Sequence, residues 1–319
     1  MKSLIAPLTA ALVCAACTHA SHDSNLSTTN NEACIGVKGG APQGALQATR
    51  IHAADSSVPS LYEGPVWTGG RLYFSHFRFS DGFPANILAY DGSELTIALE
   101  DSGSNGLARD HAGNILAGTH KYKSVSRYQL NDWQRTNVAS SFKGEVFNSP
   151  NDLTQASDGT VYFTDPDFQR AAAPGGQPVT GVYRVRDGEV VLVDDSIQNP
   201  NGISLSPDEQ FLYVAGGGEN GFVRRYDLRG ELPVEAGNLL DEVEVPDGMA
   251  VDCLGNVYVT EHTAQRIRVV NPAGDVIATI ALDANVTNAA FGGDEGKTLF
   301  ITGAGSLWQV DLPVKGLPY

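Results

Sequence analysis

Six segments of the chain repeat one pattern. Each opens on an acidic or amide residue, runs through a short apolar stretch and a turn, and closes on a strand ending in a small or hydroxyl residue. The first three copies are Glu63-Gly64-Pro65-Val66-Trp67 before Leu72-Tyr73-Phe74-Ser75, Asn105-Gly106-Leu107-Ala108 before Ile115-Leu116-Ala117-Gly118, and Asn151-Asp152-Leu153-Thr154 before Val161-Tyr162-Phe163-Thr164. The others are Asn201-Gly202-Ile203-Ser204 before Phe211-Leu212-Tyr213-Val214, Asp247-Gly248-Met249-Ala250 before Val257-Tyr258-Val259-Thr260, and Asn288-Ala289-Ala290-Phe291 before Leu299-Phe300-Ile301-Thr302. Their opening residues lie 42, 46, 50, 46 and 41 positions apart. A period of roughly 40 to 50 residues built from strand pairs is that of a four-stranded propeller blade. Six copies predict an all-β chain: a six-bladed β-propeller with four-stranded antiparallel blades around a central channel.

Turn chemistry excludes the α-solenoid that shares this period. Asp91-Gly92, Asp158-Gly159 and Asp187-Gly188 sit between alternating apolar runs, as hairpin turns do, and no segment keeps an i, i+3, i+4, i+7 pattern over three turns. The 35 Gly and 16 Pro fit short strands and many turns. Residues 42–319 are expected to form one domain, since all-β folds of this length commonly do. Residues 42–62, ahead of the first copy, can supply an outer strand to the last blade and close the ring.

Taken singly, an Asn-Gly or Asp-Gly pair is a turn. Here the acidic or amide residue stands at the same phase in all six copies, just ahead of the strand that lines the channel, so six oxygen-bearing side chains converge on one axis. Two of them, Glu63 and Asp247, are carboxylates that repel each other unless a cation lies between. Carboxylate and amide oxygens, without converging Cys or clustered His, suit a hard ion. One divalent cation is expected, Ca2+ first, with Mg2+, Mn2+ or Zn2+ as the other candidates.

The motifs Glu63-Gly64-Pro65-Val66-Trp67, Phe147-Asn148-Ser149-Pro150-Asn151-Asp152-Leu153, Asn199-Pro200-Asn201-Gly202-Ile203, Pro246-Asp247-Gly248-Met249 and Thr287-Asn288-Ala289-Ala290-Phe291-Gly292-Gly293 resemble, in order and spacing, those of the gluconolactonase and senescence-marker-protein (regucalcin-like) family. The resemblance runs from about residue 60 to 312. It implies hydrolysis of a sugar lactone, metal ligands at Glu63, Asn201 and Asp247, and Asn151 as a fourth ligand or a substrate contact. Asp247 inherits the role of general base, with the metal as Lewis acid.

Asp152, Asn105 and His120 are candidates for gripping substrate around the metal. For Asp152 an Asx-turn at the strand start is an equal reading, and for His120 a loop histidine. His76, His120 and His262 share one register, after the second strand of their blades; the family commonly has Asp where His76 stands. The stretch 77–85 is long enough for a lid, or for a packed surface loop. Two rival functions remain open: an arylesterase or phosphotriesterase on the same propeller, and a non-catalytic metal-stabilised binding propeller.

Residues 1–20 have the layout of a secretory signal: Lys2, an apolar run from Leu4 to Val13, then small residues. Cys14-Ala15-Ala16-Cys17 resembles a lipobox ending before Cys17, and ordinary cleavage after Ala20 is the alternative. Residues 21–41, rich in Ser, Thr and Asn, fit a flexible tether. An exported bacterial protein is expected, periplasmic or anchored to the outer membrane through an N-terminal lipid, and a monomer. Cys34 and Cys253 pair or stay as free thiols. With 37 acidic against 21 basic residues, the chain repels phosphate backbones, so the expected partner is a small lactone or ester rather than nucleic acid.

Overall fold

The computed structural model describes residues 34–37, 39–54 and 59–318. The expected signal at 1–20 and most of the tether at 21–41 lie outside the described residues.

Six four-stranded antiparallel units surround the axis, in chain order and each built outward from its inner strand. Blade 1 is Ser60–Thr68, Arg71–Arg78, Ala85–Tyr90 and Leu95–Leu99; blade 2 is Ser104–Arg109, Ile115–Thr119, Ser124–Tyr128 and Arg135–Ala139. Blade 3 is Leu153–Gln155, Val161–Asp165, Gly181–Arg186 and Glu189–Asp194; blade 4 is Ile203–Leu205, Phe211–Gly216, Gly221–Asp227 and Val234–Val243. Blade 5 is Pro246–Val251, Val257–Glu261, Arg266–Val270 and Val276–Ala281. Blade 6 takes Val286–Gly292, Thr298–Gly303 and Ser306–Asp311, then closes with Thr49–Ala53 as its outer strand. The segment before the first repeat therefore closes the ring, as its position predicts. One strand was not anticipated: Gly44–Gln47 adds to the outer edge of blade 5 in parallel.

Burial falls from the axis outward. The inner strands Pro246–Val251 and Val286–Gly292 are buried throughout, whereas the outer strand Leu95–Leu99 has no buried residue. The core lies between blades rather than within one. Leu72 and Phe74 of blade 1 pack with Phe300 and Leu307 of blade 6, and Trp67 stacks on Phe300 at 5.5 Å. Tyr258 of blade 5 meets Phe291 of blade 6 at 5.1 Å. Each such side chain, fully buried, contributes about 1.5–3 kcal/mol, and the contribution exists only when the neighbouring blade is in place.

The inner strands share an irregularity that positions the site. In blades 1, 2, 5 and 6 the pairing slips between Glu63 and Val66, Ser104 and Leu107, Pro246 and Met249, and Val286 and Asn288. A bulge of this kind re-aims a side chain. Blades 3 and 4 reach the same result by starting their inner strand later, while Asn151 N still donates to Thr164 O at 2.9 Å and Asn201 N to Ala215 O at 2.8 Å. At the opposite end the termini fasten to blade 5. Cys34 and Cys253 form a disulfide with a Cα separation of 5.2 Å, and Leu317 N donates to Val251 O at 2.9 Å.

Candidate active site

The repeat's opening residues sit at the ends of the inner strands, at the bulge in blades 1, 2, 5 and 6 and just ahead of the strand in blades 3 and 4. Glu63, Asn105, Asn151 and Asp247 are buried there, and Asn201 is half-buried. Why glycine follows so many of them is packing, not turn formation. A Cβ on Gly64 would lie 2.3 Å from the Gly106 Cα, and one on Gly248 would lie 2.0 Å from the Asn288 Cγ. Neighbouring inner strands approach so closely that no side chain fits between them.

Three carboxylates share this low-dielectric end. Burial, then the Asp247 and Asp152 carboxylates beside it, push the Glu63 carboxyl well above the usual range, although the Gly64 amide donates to it at 2.7 Å. Burial raises Asp152 to about 7, against the opposing pull of the Asn288 amide, which donates to both of its oxygens at 3.0 and 2.9 Å. Asp247 is raised by burial and partly rescued by His262 and Asn201. Like charges gathered in a dry site are costly until a counter-charge arrives.

Three further buried side chains, Asp165, Lys123 and Glu261, hold the loops that carry these residues. Asp165 accepts from Asn148 N at 2.9 Å and Ser149 N at 2.8 Å, while the buried Lys123 ammonium donates to Asn148 O at 2.7 Å. This fixes the turn leading into Asn151 and Asp152. Glu261 is fully buried, pairs with Arg266 and Arg268, and accepts from Glu244 N at 3.0 Å, which anchors the entry to Pro246 and Asp247.

The three histidines do not ring the mouth. Each meets a different environment because its neighbours differ, whatever its register. His262 Nδ1 lies 2.7 Å from Val286 O, which can only accept, so that nitrogen carries a hydrogen; it also lies 3.5 Å from Asp247 Oδ2. Burial opposes its charge, but the Asp247 carboxylate and the Val286 carbonyl prevail and leave its pKa raised. His120 is 0% exposed and sits beneath the loop at 79–84, where Nε2 donates to Phe83 O at 2.7 Å. Burial lowers it to about 4, so it is neutral. His76 packs edge-on to Tyr62 at 5.1 Å. The stretch 77–85 is a hairpin loop rather than a long lid, closed by Arg78 N to Pro84 O at 3.2 Å and pinned by His120.

Of the residues singled out from sequence, Glu63, Asp152 and Asp247 are brought within electrostatic reach of one another, and Asn201 hydrogen-bonds Asp247. Asn105 Nδ2 donates to Gln169 Oε1 at 3.3 Å. Asn288, present in the repeat but given no role, turns out to bridge the carboxylates, and Asp165, Lys123 and Glu261 carried no sequence signal beyond their type.

The donor chemistry fits a divalent cation. The buried Asn105 Oδ1 and Asn151 Oδ1 have no hydrogen-bond partner, which is unusual for buried amide oxygens, and they lie at the same end of the inner strands as the Glu63, Asp152 and Asp247 carboxylates. All are hard oxygen donors of the kind Ca2+ and Mg2+ take. Among the described residues no three His, Cys, Asp or Glu side chains are grouped closely enough to hold an ion by themselves, so amide oxygens must complete any such set. Below the carboxylates the channel narrows to a cavity of about 20 Å³ beside Asp152, Asn288, Leu107 and Met249, room for about one water.

The family model described as SMP-30/Gluconolactonase/LRE-like region matches residues 61–305. The chain belongs to this family. A gluconolactonase of Zymomonas mobilis is 29% identical over 283 residues, covering 78% of this chain and 77% of that one. A solved gluconolactonase from Xanthomonas campestris matches with a TM-score of 0.71 at 25% identity, over 86% of this chain and 98% of that one. A calcium-binding protein, regucalcin, from Agrobacterium tumefaciens shares the fold, with a TM-score of 0.68 at 17% identity over 86% of this chain and 97% of its own.

Proposed function

We propose that this member of the family is a metal-dependent lactonase that opens a lactone ring by hydrolysis at the bulged end of the channel. The observation that carries the reading is the set of three buried carboxylates with raised pKa beside two orphaned amide oxygens. A binding scaffold has no need of a carboxylate placed to take a proton from water, whereas a general base is such a group.

Glu63, Asn201 and Asp247, with Asn151 as the fourth, would hold one divalent cation, and their hard oxygens favour Ca2+. When bound, such an ion polarises a carbonyl and lowers the pKa of a coordinated water. Asp247 takes the proton from the attacking water. The water oxygen bonds the carbonyl carbon, the ring C–O bond breaks, and that proton passes to the departing ring oxygen, leaving an open-chain hydroxy acid. His262, bonded to Val286 O and beside Asp247 Oδ2, orients the base. Asp152, held by Asn288, faces the same site as an acceptor for a substrate hydroxyl. We also propose that the protein works outside the cytoplasm, where a disulfide such as Cys34–Cys253 persists.

The test is a substrate panel on purified protein: sugar and alkyl lactones, aryl esters and phosphotriesters, each over its spontaneous rate. Lactone opening well above the other classes is the expected result. Preference for aryl esters or phosphotriesters would move the protein to those chemistries, and a tightly held metal with no turnover of any class would leave a binding propeller.

A further inference from the structure

Blade 3 sends a loop back across to blade 2. Residues 166–180 join its second strand, which ends at Asp165, to its third, which begins at Gly181, and contain the short 3-10 turn Arg170–Ala172. The loop is tied down near its start. Ser149 Oγ donates to Pro166 O at 2.6 Å and accepts from Gln169 N at 3.3 Å, and Asn199 Oδ1 accepts from Asp167 N at 3.0 Å. Beyond the turn, the buried Lys123 ammonium donates to Arg170 O and, at 3.3 Å, to Gly175 O. Gln169, itself buried, is therefore fixed on both sides.

Its side chain reaches the neighbouring blade, where Gln169 Oε1 accepts from Asn105 Nδ2 at 3.3 Å. Which way an amide faces is set by the bonds its two ends make. With the nitrogen committed to Gln169, the oxygen of Asn105 is turned to the other side of the group, buried and without a partner. The surroundings of Asn105 come from two blades. A Cβ on Gly64, next to Glu63, would lie 2.8 Å from Asn105 O, and one on Gly106 would lie 2.3 Å from Asp152 Oδ1, while Gly106 N donates to Asn151 O at 3.2 Å. Asn105 is thus wedged between the Glu63 strand and the Asn151-Asp152 strand, and the next orphaned oxygen, Asn151 Oδ1, belongs to that neighbour.

We propose that Asn105 Oδ1 is a direct ligand of the divalent cation, a fifth protein oxygen beside those of Glu63, Asn151, Asn201 and Asp247, and that Gln169 is the positioning residue that turns it inward. The proposal rests on the cation of the proposed function and is independent of which ester that cation helps to open. It also bears on the choice of ion. Five protein oxygens leave about one to three places of the Ca2+ shell for water and substrate, whereas Mg2+ retains several waters and takes few protein ligands, so Asn105 favours Ca2+.

The experiment titrates Ca2+, and separately Mg2+, into metal-stripped protein in a calorimeter, with a thermal melt of each stripped sample to show that it is folded. Asn105→Ala is expected to weaken Ca2+ binding by about tenfold or more and to narrow the preference for Ca2+ over Mg2+, whereas Asn105→Asp, which keeps an oxygen in place, binds Ca2+ at least as tightly as the wild type. Gln169→Met, which offers no acceptor to Asn105 Nδ2, is expected to weaken Ca2+ binding by about tenfold, and Gln169→Glu, which only accepts, to restore it. Wild-type Ca2+ affinity in Asn105→Ala, with only the lactone KM raised, makes Asn105 a substrate contact and overturns the proposal. Wild-type affinity in Gln169→Met overturns the positioning role. Tight Ca2+ binding that follows this pattern in a protein that opens no lactone removes the lactonase reading and leaves the ligand in place, and a wild-type protein that binds no divalent cation overturns both.

Discussion

The tops of blades 2 and 5 carry a histidine at the same place, directly after the second strand, and put it to different use. His120 follows Ile115–Thr119 and lies fully buried under the loop at 79–84, neutral and bonded to a carbonyl. His262 follows Val257–Glu261, is half-buried, and touches a carboxylate that raises its pKa. Equivalent position in a repeat fixes where a side chain begins, and the neighbouring blade decides what it meets. On the blade 2 side the neighbour is the long hairpin loop of blade 1, which covers the histidine. On the blade 5 side the neighbour is the Val286 end of blade 6 and the carboxylate of blade 5 itself.

The largest effect expected on this comparison comes from Asp247→Asn, which removes the base and the partner of His262 while leaving blade 2 untouched. Lactone kcat should fall about 10³-fold, with thermal stability kept, as read by steady-state kinetics and a melt of the same sample. His262→Ala is expected to lower kcat/KM by about 10- to 100-fold, the usual consequence of losing an outer partner of a site carboxylate, again with little change in melting. His120→Ala should do the reverse. Loss of its packing and of the bond to Phe83 O is expected to cost about 2–3 kcal/mol, measured by denaturant unfolding, with gluconolactone turnover within about threefold of wild type. Equal activity losses in the two histidine variants would break the contrast.

A smaller effect is expected from pH. Asp152 and Asp165 each rise to about 7 in the folded protein, chiefly through burial, above their values in the unfolded chain. A carboxyl with a raised folded pKa favours folding fully below its unfolded value and loses that contribution as pH climbs through the folded one. Protein stripped with EDTA should therefore lose stability between about pH 4 and pH 7, by roughly 5–10 °C in Tm. Restoring Ca2+ should return, at pH 7, the share that belongs to the carboxylates at the site and not that of Asp165, and little at pH 4. A melting temperature independent of pH and of Ca2+ would show that the buried carboxylates are already compensated.

The repeat made the six blades legible because blade spacing and turn chemistry are local properties of the chain. The ring closure at Thr49–Ala53 was legible for the same reason, since a strand's worth of sequence had no other place to go. The parallel strand Gly44–Gln47 was not, because nothing in its sequence distinguishes an extra edge from a tether. At the site, phase alone brought Glu63 and Asp247 forward. The bulges at Glu63, Asn105, Asp247 and Asn288 were hidden, because a slip in pairing depends on the neighbouring strand rather than on residue type. So was the division of labour between His120 and His262. The pairing of Cys34 with Cys253 was left open by sequence and is made by the fold, which brings a terminal segment under blade 5.

The central claim is that a cation at the bulged end and the residues around it open a lactone ring. It is tested most directly by following the ring opening of one lactone in a pH-stat with a single protein sample, first as purified, then after EDTA, then after Ca2+ is restored. The account predicts turnover above the spontaneous rate, its loss to background with chelation, and its return with the ion. Turnover that EDTA leaves untouched, or that no cation restores in protein shown to be folded, would contradict it.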